Sequence, residues 1–164
     1  MSDRPQGAVE RVAAALRAAG VEPDIHEFPQ GTRTSQDAAD AVGCDVAQIA
    51  KSIVFRLERD GREPEALLVI TSGPNRVDVV KAGALAGGTL EKADAAFVRE
   101  QTGFAIGGVP AVGHTRPIPV LIDEDLRAFD VVWSAAGTPN AVYPIALATL
   151  VTLTGGRVAD VAQR

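Results

Sequence analysis

At 164 residues and a formal net charge of −5, the chain is long enough to bury one substantial core and too acidic to present a broad nucleic-acid-binding face. No DNA partner is expected, although contact with a few nucleotides at an RNA end stays open. One cysteine, Cys44, rules out an intramolecular disulfide, and two histidines, His26 and His114, leave few ligands for a zinc site.

Residues 1–7 are polar and include Pro5. They hold no apolar stretch of signal-peptide or membrane-spanning length, so a cytoplasmic protein without a membrane partner is the default. Residues 8–19 predict an amphipathic helix with Val9, Val12, Ala13, Leu16 and Ala19 on one face, ended by Gly20. Residues 25–28 alternate like a short strand that Pro29 stops. Thr34 to Asp37 offers an N-cap for a helix running to Gly43, and a short helical turn over 45–50 leads into Lys51.

Residues 52–57 and 66–71 predict two strands of a hairpin with the polar turn 58–64. Asp78 opens a helix through Lys81 and Leu85, and residues 91–100 predict another. A strand over 118–122 ends at Asp123, strands at 131–133 and 140–143 flank the turn 137–139, and residues 145–153 close with a helix. Strands and helices mix without strict βαβ alternation. The fold class expected is α+β: a mixed, partly barrel-like sheet surrounded by helices, as one domain over 1–164.

Two segments stand out for chemistry. Lys51 opens the nearly uncharged run Ser52-Ile53-Val54-Phe55, and residues 103–114 form a glycine-rich loop with Gly103, Gly107, Gly108 and Gly113. A lysine at a strand mouth either snorkels to water or holds a carbonyl or phosphate oxygen as a point charge; with a lowered pKa it can also act as a base. The loop is either a turn that needs glycine or a surface of free backbone donors. No Gly-Lys-Ser/Thr follows it, and no strand–loop–helix unit surrounds it, so neither a P-loop nor a dinucleotide fingerprint fits. His114 is either a general base, a hydrogen-bond donor, or structural. Asp123 either caps the next turn or orients Lys51 and the substrate's amino group. Arg76 and Asn140 are weaker candidates, and no Gly-x-Ser-x-Gly elbow or Cys–His pair is present.

Taken in order, Lys51 opening an apolar strand, Arg76-Val77-Asp78-Val79-Val80-Lys81, the glycine spacing of 103–113 and Ile122-Asp123 resemble the YbaK family of aminoacyl-tRNA deacylases. That family includes the editing domain of many bacterial prolyl-tRNA synthetases. The resemblance spans nearly the whole chain. It implies metal-independent hydrolysis, without a cofactor, of the ester joining a mischarged small amino acid to tRNA, with tRNA-Pro the first expectation. It also implies that Lys51 carries deacylation, and that Phe28, Gly107, Gly108, Val109, Pro110, Gly113, His114 and Asp123 shape the substrate site. The expected partners are the aminoacyl-tRNA acceptor end and a synthetase. Where the family loop has Ser-Pro, this chain has Pro110-Ala111, and Phe28 stands where cysteinyl-specific members have tyrosine; both changes put cysteinyl-tRNA specificity in doubt. A catalytically silent binding module on the same fold and a deacylase for a non-tRNA ester are the competing expectations.

Overall fold

The computed structural model describes residues 7–28 and 34–164; the rest of the polar lead (residues 1–6) and the strand stop at Pro29 lie outside the described residues. Among the described residues five α-helices accompany a mixed sheet of eight strands, which is the α+β arrangement the sequence implies. Helix α1 (Ala8–Ala18) buries Val12 and Leu16, one turn apart, completely. Thr34 caps α2 (Ser35–Val42): its hydroxyl accepts from Asp37 N, and the Asp37 carboxylate accepts from Thr34 N. Asp78 caps α3 (Val79–Ala86), Asp94 caps α4 (Ala95–Thr102), and α5 (Leu147–Thr154) follows directly from a strand.

The strands are β1 (His26–Glu27), β2 (Ile49–Glu58), β3 (Glu65–Ser72), β4 (Thr89–Lys92), β5 (Val120–Asp123), β6 (Val131–Ala135), β7 (Ala141–Ala146) and β8 (Arg157–Ala159). They pair in the order β1-β7-β6-β2-β3-β5-β8, with β4 branching off β2. β2 and β3 form the expected antiparallel hairpin along nearly their whole length. On its other edge β2 pairs with β6 in parallel at Ile49 and Ala50, and with β4 antiparallel from Phe55 to Glu58. Between those contacts, residues 51–54 have, among the described residues, a strand neighbour on the β3 side only. This gap in the sheet is where the candidate site opens.

Side chains alternate across β2. Ala50 joins the main core with Leu68, Ile70 and Tyr143, whereas Ile49 packs with Ala38, Ala39 and Trp133 under α2. Lys51 shares the Ile49 face. Several boundaries differ from the sequence expectation. The helical turn over 45–50 is a 3₁₀ turn confined to Val46–Gln48, and β2 begins at Ile49, so Lys51 lies inside the strand rather than ahead of it. The helix expected over 91–100 divides, because Asp94 accepts from Phe97 N and starts α4 there, leaving Thr89–Lys92 free to pair with β2. The strand expected from 118 begins at Val120, and β8 was not anticipated.

Candidate active site

Lys51 is half-buried, and its Nζ donates to two backbone carbonyls, Gly73 O at 3.4 Å and Asn75 O at 3.2 Å. Among the described residues it forms no ion pair. Burial, with the Arg76 charge as the second cause, pushes its ammonium below the usual lysine range. An ammonium has three donors, so two carbonyls leave one N–H for another oxygen.

A cavity of about 250 Å³ opens beside Lys51. Its walls come from β2 (Ile49 to Ser52), from Trp133, Ala135, Ala141 and Val142 across the sheet gap, from Gly107 and Val109 of the glycine loop, and from Thr138 and Pro139 of the turn between β6 and β7. Thr34 and Ser35, at the start of α2, complete it, and both also border an adjoining open recess of about 510 Å³ with Lys51, Gly73 and Pro74. Among the described residues Lys51 is the one charged group lining either space, and the nearby helix N-terminus adds partial positive charge. The arrangement favours an anionic or carbonyl oxygen next to Lys51 and a small apolar group among Ala50, Ala135, Ala141 and Val142.

The glycine loop divides between two places. Gly107 has φ +95°, a conformation glycine adopts freely, and sits exposed at the cavity mouth. Gly108 is buried against the turn after β6: a Cβ there would lie 2.7 Å from Thr138 Cα and 2.8 Å from Thr138 C. Its small size therefore serves the packing of two backbones that together wall the cavity. Val109 is buried and lines the cavity. Pro110 is buried, and its carbonyl lies 2.7 Å from His114 Nε2.

Gly113 and His114 line a different cavity, of about 490 Å³, between α1, the 111–118 segment and the end of α5. The His114 ring also meets Phe104 edge-on, with 6.3 Å between ring centroids. Burial holds the His114 imidazole below the usual histidine range, with the hydrogen bond to Pro110 O opposing that shift. The ring clamps its own loop.

Phe28 does not line the Lys51 cavity. It pins the turn that does: Phe28 N donates to Asn140 O, and Asn140 Nδ2 donates to Phe28 O, both at 2.9 Å. Asp123 is fully buried and accepts from Ser72 N at 3.0 Å, Asn75 Nδ2 at 2.8 Å and Asp125 N at 2.9 Å. It caps the turn after β5, as its sequence context implies, and it also ties down the 72–75 turn whose carbonyls receive Lys51.

Sequence reasoning identified Thr34 as a cap but not as a cavity wall, and it passed over Ser52, Ala135 and Thr138. Only the pairing of β2 with β6 brings those residues together. Arg11 was also missed. Its Nη2 donates to Gly103 O at 2.8 Å and its guanidinium stacks 4.3 Å from the Phe104 ring centroid, fixing the base of the loop to α1. Cys44 is half-buried and donates to Asp45 O at 3.4 Å, consistent with a packing role.

Comparison with known proteins fits this geometry. Residues 29–153 match the aminoacyl-tRNA editing domain family. The chain is 32% identical over 124 residues to the Bacillus subtilis (strain 168) protein YwhH, described as uncharacterized, and the match covers 76% of each. A solved structure described as a candidate trans-editing enzyme for prolyl-tRNA synthetase superposes with a TM-score of 0.89 at 44% identity, covering 98% of this chain and all of that one. A second, the hypothetical protein APE2540, superposes with a TM-score of 0.83 at 28% identity, covering 94% of this chain and all of that one. The chain belongs to the aminoacyl-tRNA editing domain family.

Proposed function

We propose that the chain is a trans-acting editing hydrolase that cleaves the ester joining a mischarged small amino acid to tRNA, with tRNA-Pro as the first candidate. The observation that carries this reading is Lys51. It is a cation without an ion-pair partner among the described residues, seated on two carbonyls, at the mouth of a small cavity whose walls mix small apolar residues with the hydroxyls of Thr34, Ser35, Ser52 and Thr138. In the reaction, water oxygen adds to the ester carbonyl carbon, the bond to the ribose oxygen breaks, and that oxygen leaves with a proton. The free N–H of Lys51 donates to an oxygen of the ester or of the adjoining phosphodiester, and so stabilises charge that develops there. The reaction needs no metal in this reading. Family membership and the similarity to a candidate trans-editing enzyme for prolyl-tRNA synthetase support the substrate class, and a prolyl-tRNA synthetase is the natural partner.

Selectivity follows from size. A synthetase rejects a slightly smaller side chain poorly, since one methylene is worth about 1–3 kcal/mol. A cavity of about 250 Å³ walled by Ala50, Ala135, Ala141 and Val142 admits a small side chain and hydrolyses the error. The space beside these small residues suits an alanyl or 2-aminobutyryl side chain.

One observation favours a second reading, a silent aminoacyl-binding module. Among the described residues, no carboxylate, imidazole or thiol lines the Lys51 cavity, so no side-chain base faces an attacking water. The experiment is deacylation of tRNA-Pro charged with alanine, cysteine, serine, 2-aminobutyrate or proline, by wild type and Lys51→Ala. Selective hydrolysis that is lost in Lys51→Ala supports editing. Tight binding of an aminoacyl-RNA end with no turnover on any tRNA tested selects the binding module.

A further inference from the structure

Behind the cavity, a chain of polar side chains runs from the segment after β8 to the carbonyls that seat Lys51. Arg164 grips the Asp125 carboxylate with both terminal nitrogens, at 2.9 and 3.1 Å, and also donates to Asp160. Asp125 Oδ2 in turn accepts from Asn75 Nδ2 at 2.7 Å, and the same amide nitrogen donates to Asp123 Oδ2. The Asn75 backbone closes the turn, with its N–H on Ser72 O at 2.9 Å and its carbonyl on Lys51 Nζ at 3.2 Å.

Two features make this more than a surface ion pair. A two-pronged Arg–carboxylate contact fixes direction as well as distance. It also holds one side-chain amide, that of Asn75, the residue whose backbone carbonyl accepts from Lys51 Nζ. Exposed ion pairs add little to stability, and the Arg164 side chain is 47% exposed, so the contact acts mainly on where the turn sits.

We propose that Asn75, Asp125 and Arg164 are positioning residues for Lys51: they hold the 72–75 turn in the place where its carbonyls aim the ammonium at the cavity. The inference rests on the reading of Lys51 as the group that meets the substrate.

The test separates the seat from the reaction. The sequence holds three lysines, Lys51, Lys81 and Lys92, so protein labelled with 13C-lysine gives signals that Lys→Arg variants assign. In Arg164→Ala and in Asn75→Ala, the Lys51 Cε signal moves. Its alkaline titration midpoint rises toward the ordinary lysine value as the ammonium gains water, while the Lys92 signal stays in place. Deacylation kcat falls about tenfold with KM little changed, as expected for a misplaced group. Arg164→Lys, which keeps the charge without the two-pronged grip, recovers part of the loss. The melting temperature of Arg164→Ala stays at the wild-type value. A Lys51 signal unmoved in both variants, with the fold intact, overturns the inference whatever the activity does. If the signal moves but neither these variants nor Lys51→Ala alters deacylation, the seat stands and the assignment of Lys51 to the reaction falls.

Discussion

The Lys51 cavity and the His114 cavity take up the two halves of one glycine-rich segment, and they differ in what they offer a ligand. The larger one, about 490 Å³, presents a histidine ring turned onto its own loop. The smaller one, about 250 Å³, presents a cation held by neutral carbonyls beside an unpaired stretch of strand edge. Size does not locate the site here. What distinguishes the smaller cavity is a charge that no carboxylate among the described residues pairs with, and a sheet that opens where β6 and β4 leave β2.

The comparison breaks most directly at Lys51. Lys51→Ala is expected to lower deacylation kcat/KM by about 100-fold or more, the size of effect seen when an oxyanion donor is removed, with little change in urea-unfolding stability. Next in size is Asp123→Ala. It strands Ser72 N in a buried place and Asp125 N in a half-buried one, at about 1–3 kcal/mol for each group left without a partner, while Asn75 Nδ2 keeps only its bond to Asp125 Oδ2. Chemical denaturation is expected to show a loss of about 3 kcal/mol after partial relaxation, since water can reach the outer donors. Activity falls with it, because the 72–75 turn carries the seat of Lys51.

Gly108→Ala sharpens the contrast between the two halves of the loop. The added methyl meets the Thr138 backbone, which cannot swing aside as a side chain would. Overpacking of this kind costs about 1–3 kcal/mol, and deacylation is expected to drop about tenfold as the cavity wall shifts. The smallest effect belongs to His114→Gln, with kcat/KM expected within about twofold of wild type. Its signature lies in the pH dependence of stability. Above about pH 6.5 the imidazole is neutral in both the folded and unfolded chain. As pH falls below that, the unfolded chain takes up the proton first, because burial holds the folded imidazole lower. Wild type therefore loses stability progressively down to the folded pKa, and His114→Gln lacks that loss. A large activity defect in His114→Gln would move the reaction to the other cavity.

Much of the fold was legible in local signals. Thr34, Asp78 and Asp94 all cap helices, though Asp94 moved a boundary that hydrophobic pattern alone had blurred. Glu91 and Lys92 were read into the helix over 91–100, and Thr89 and Leu90 as no element, because a single apolar residue, Leu90, leaves no alternation to detect; the strand form of Thr89–Lys92 comes from pairing with β2. β8 follows Gly155 and Gly156 and is only three residues long, so its identity also comes from a neighbour, β5. At the candidate site, Lys51 and Gly107 stood out because charge in an apolar run and clustered glycines are local anomalies. Ala135, Thr138 and Ser52 were not, since nothing about an alanine, a threonine or a serine in sequence announces a wall. His114 was placed with the site by its proximity in sequence to Gly108, and the chain turns away between them through Pro110.

In the proposed reaction an aminoacyl-RNA end binds at Lys51 and not at His114. Amide chemical shifts of the 15N-labelled protein, titrated with an amide-linked alanyl-adenosine analogue that cannot be hydrolysed, test it directly. Shifts are expected at Ala50 to Ser52 and Gly107 to Val109, with Gly113 to Thr115 unmoved. Shifts confined to Gly113 to Thr115 and the facing residues Ala15 and Ala19 would contradict it.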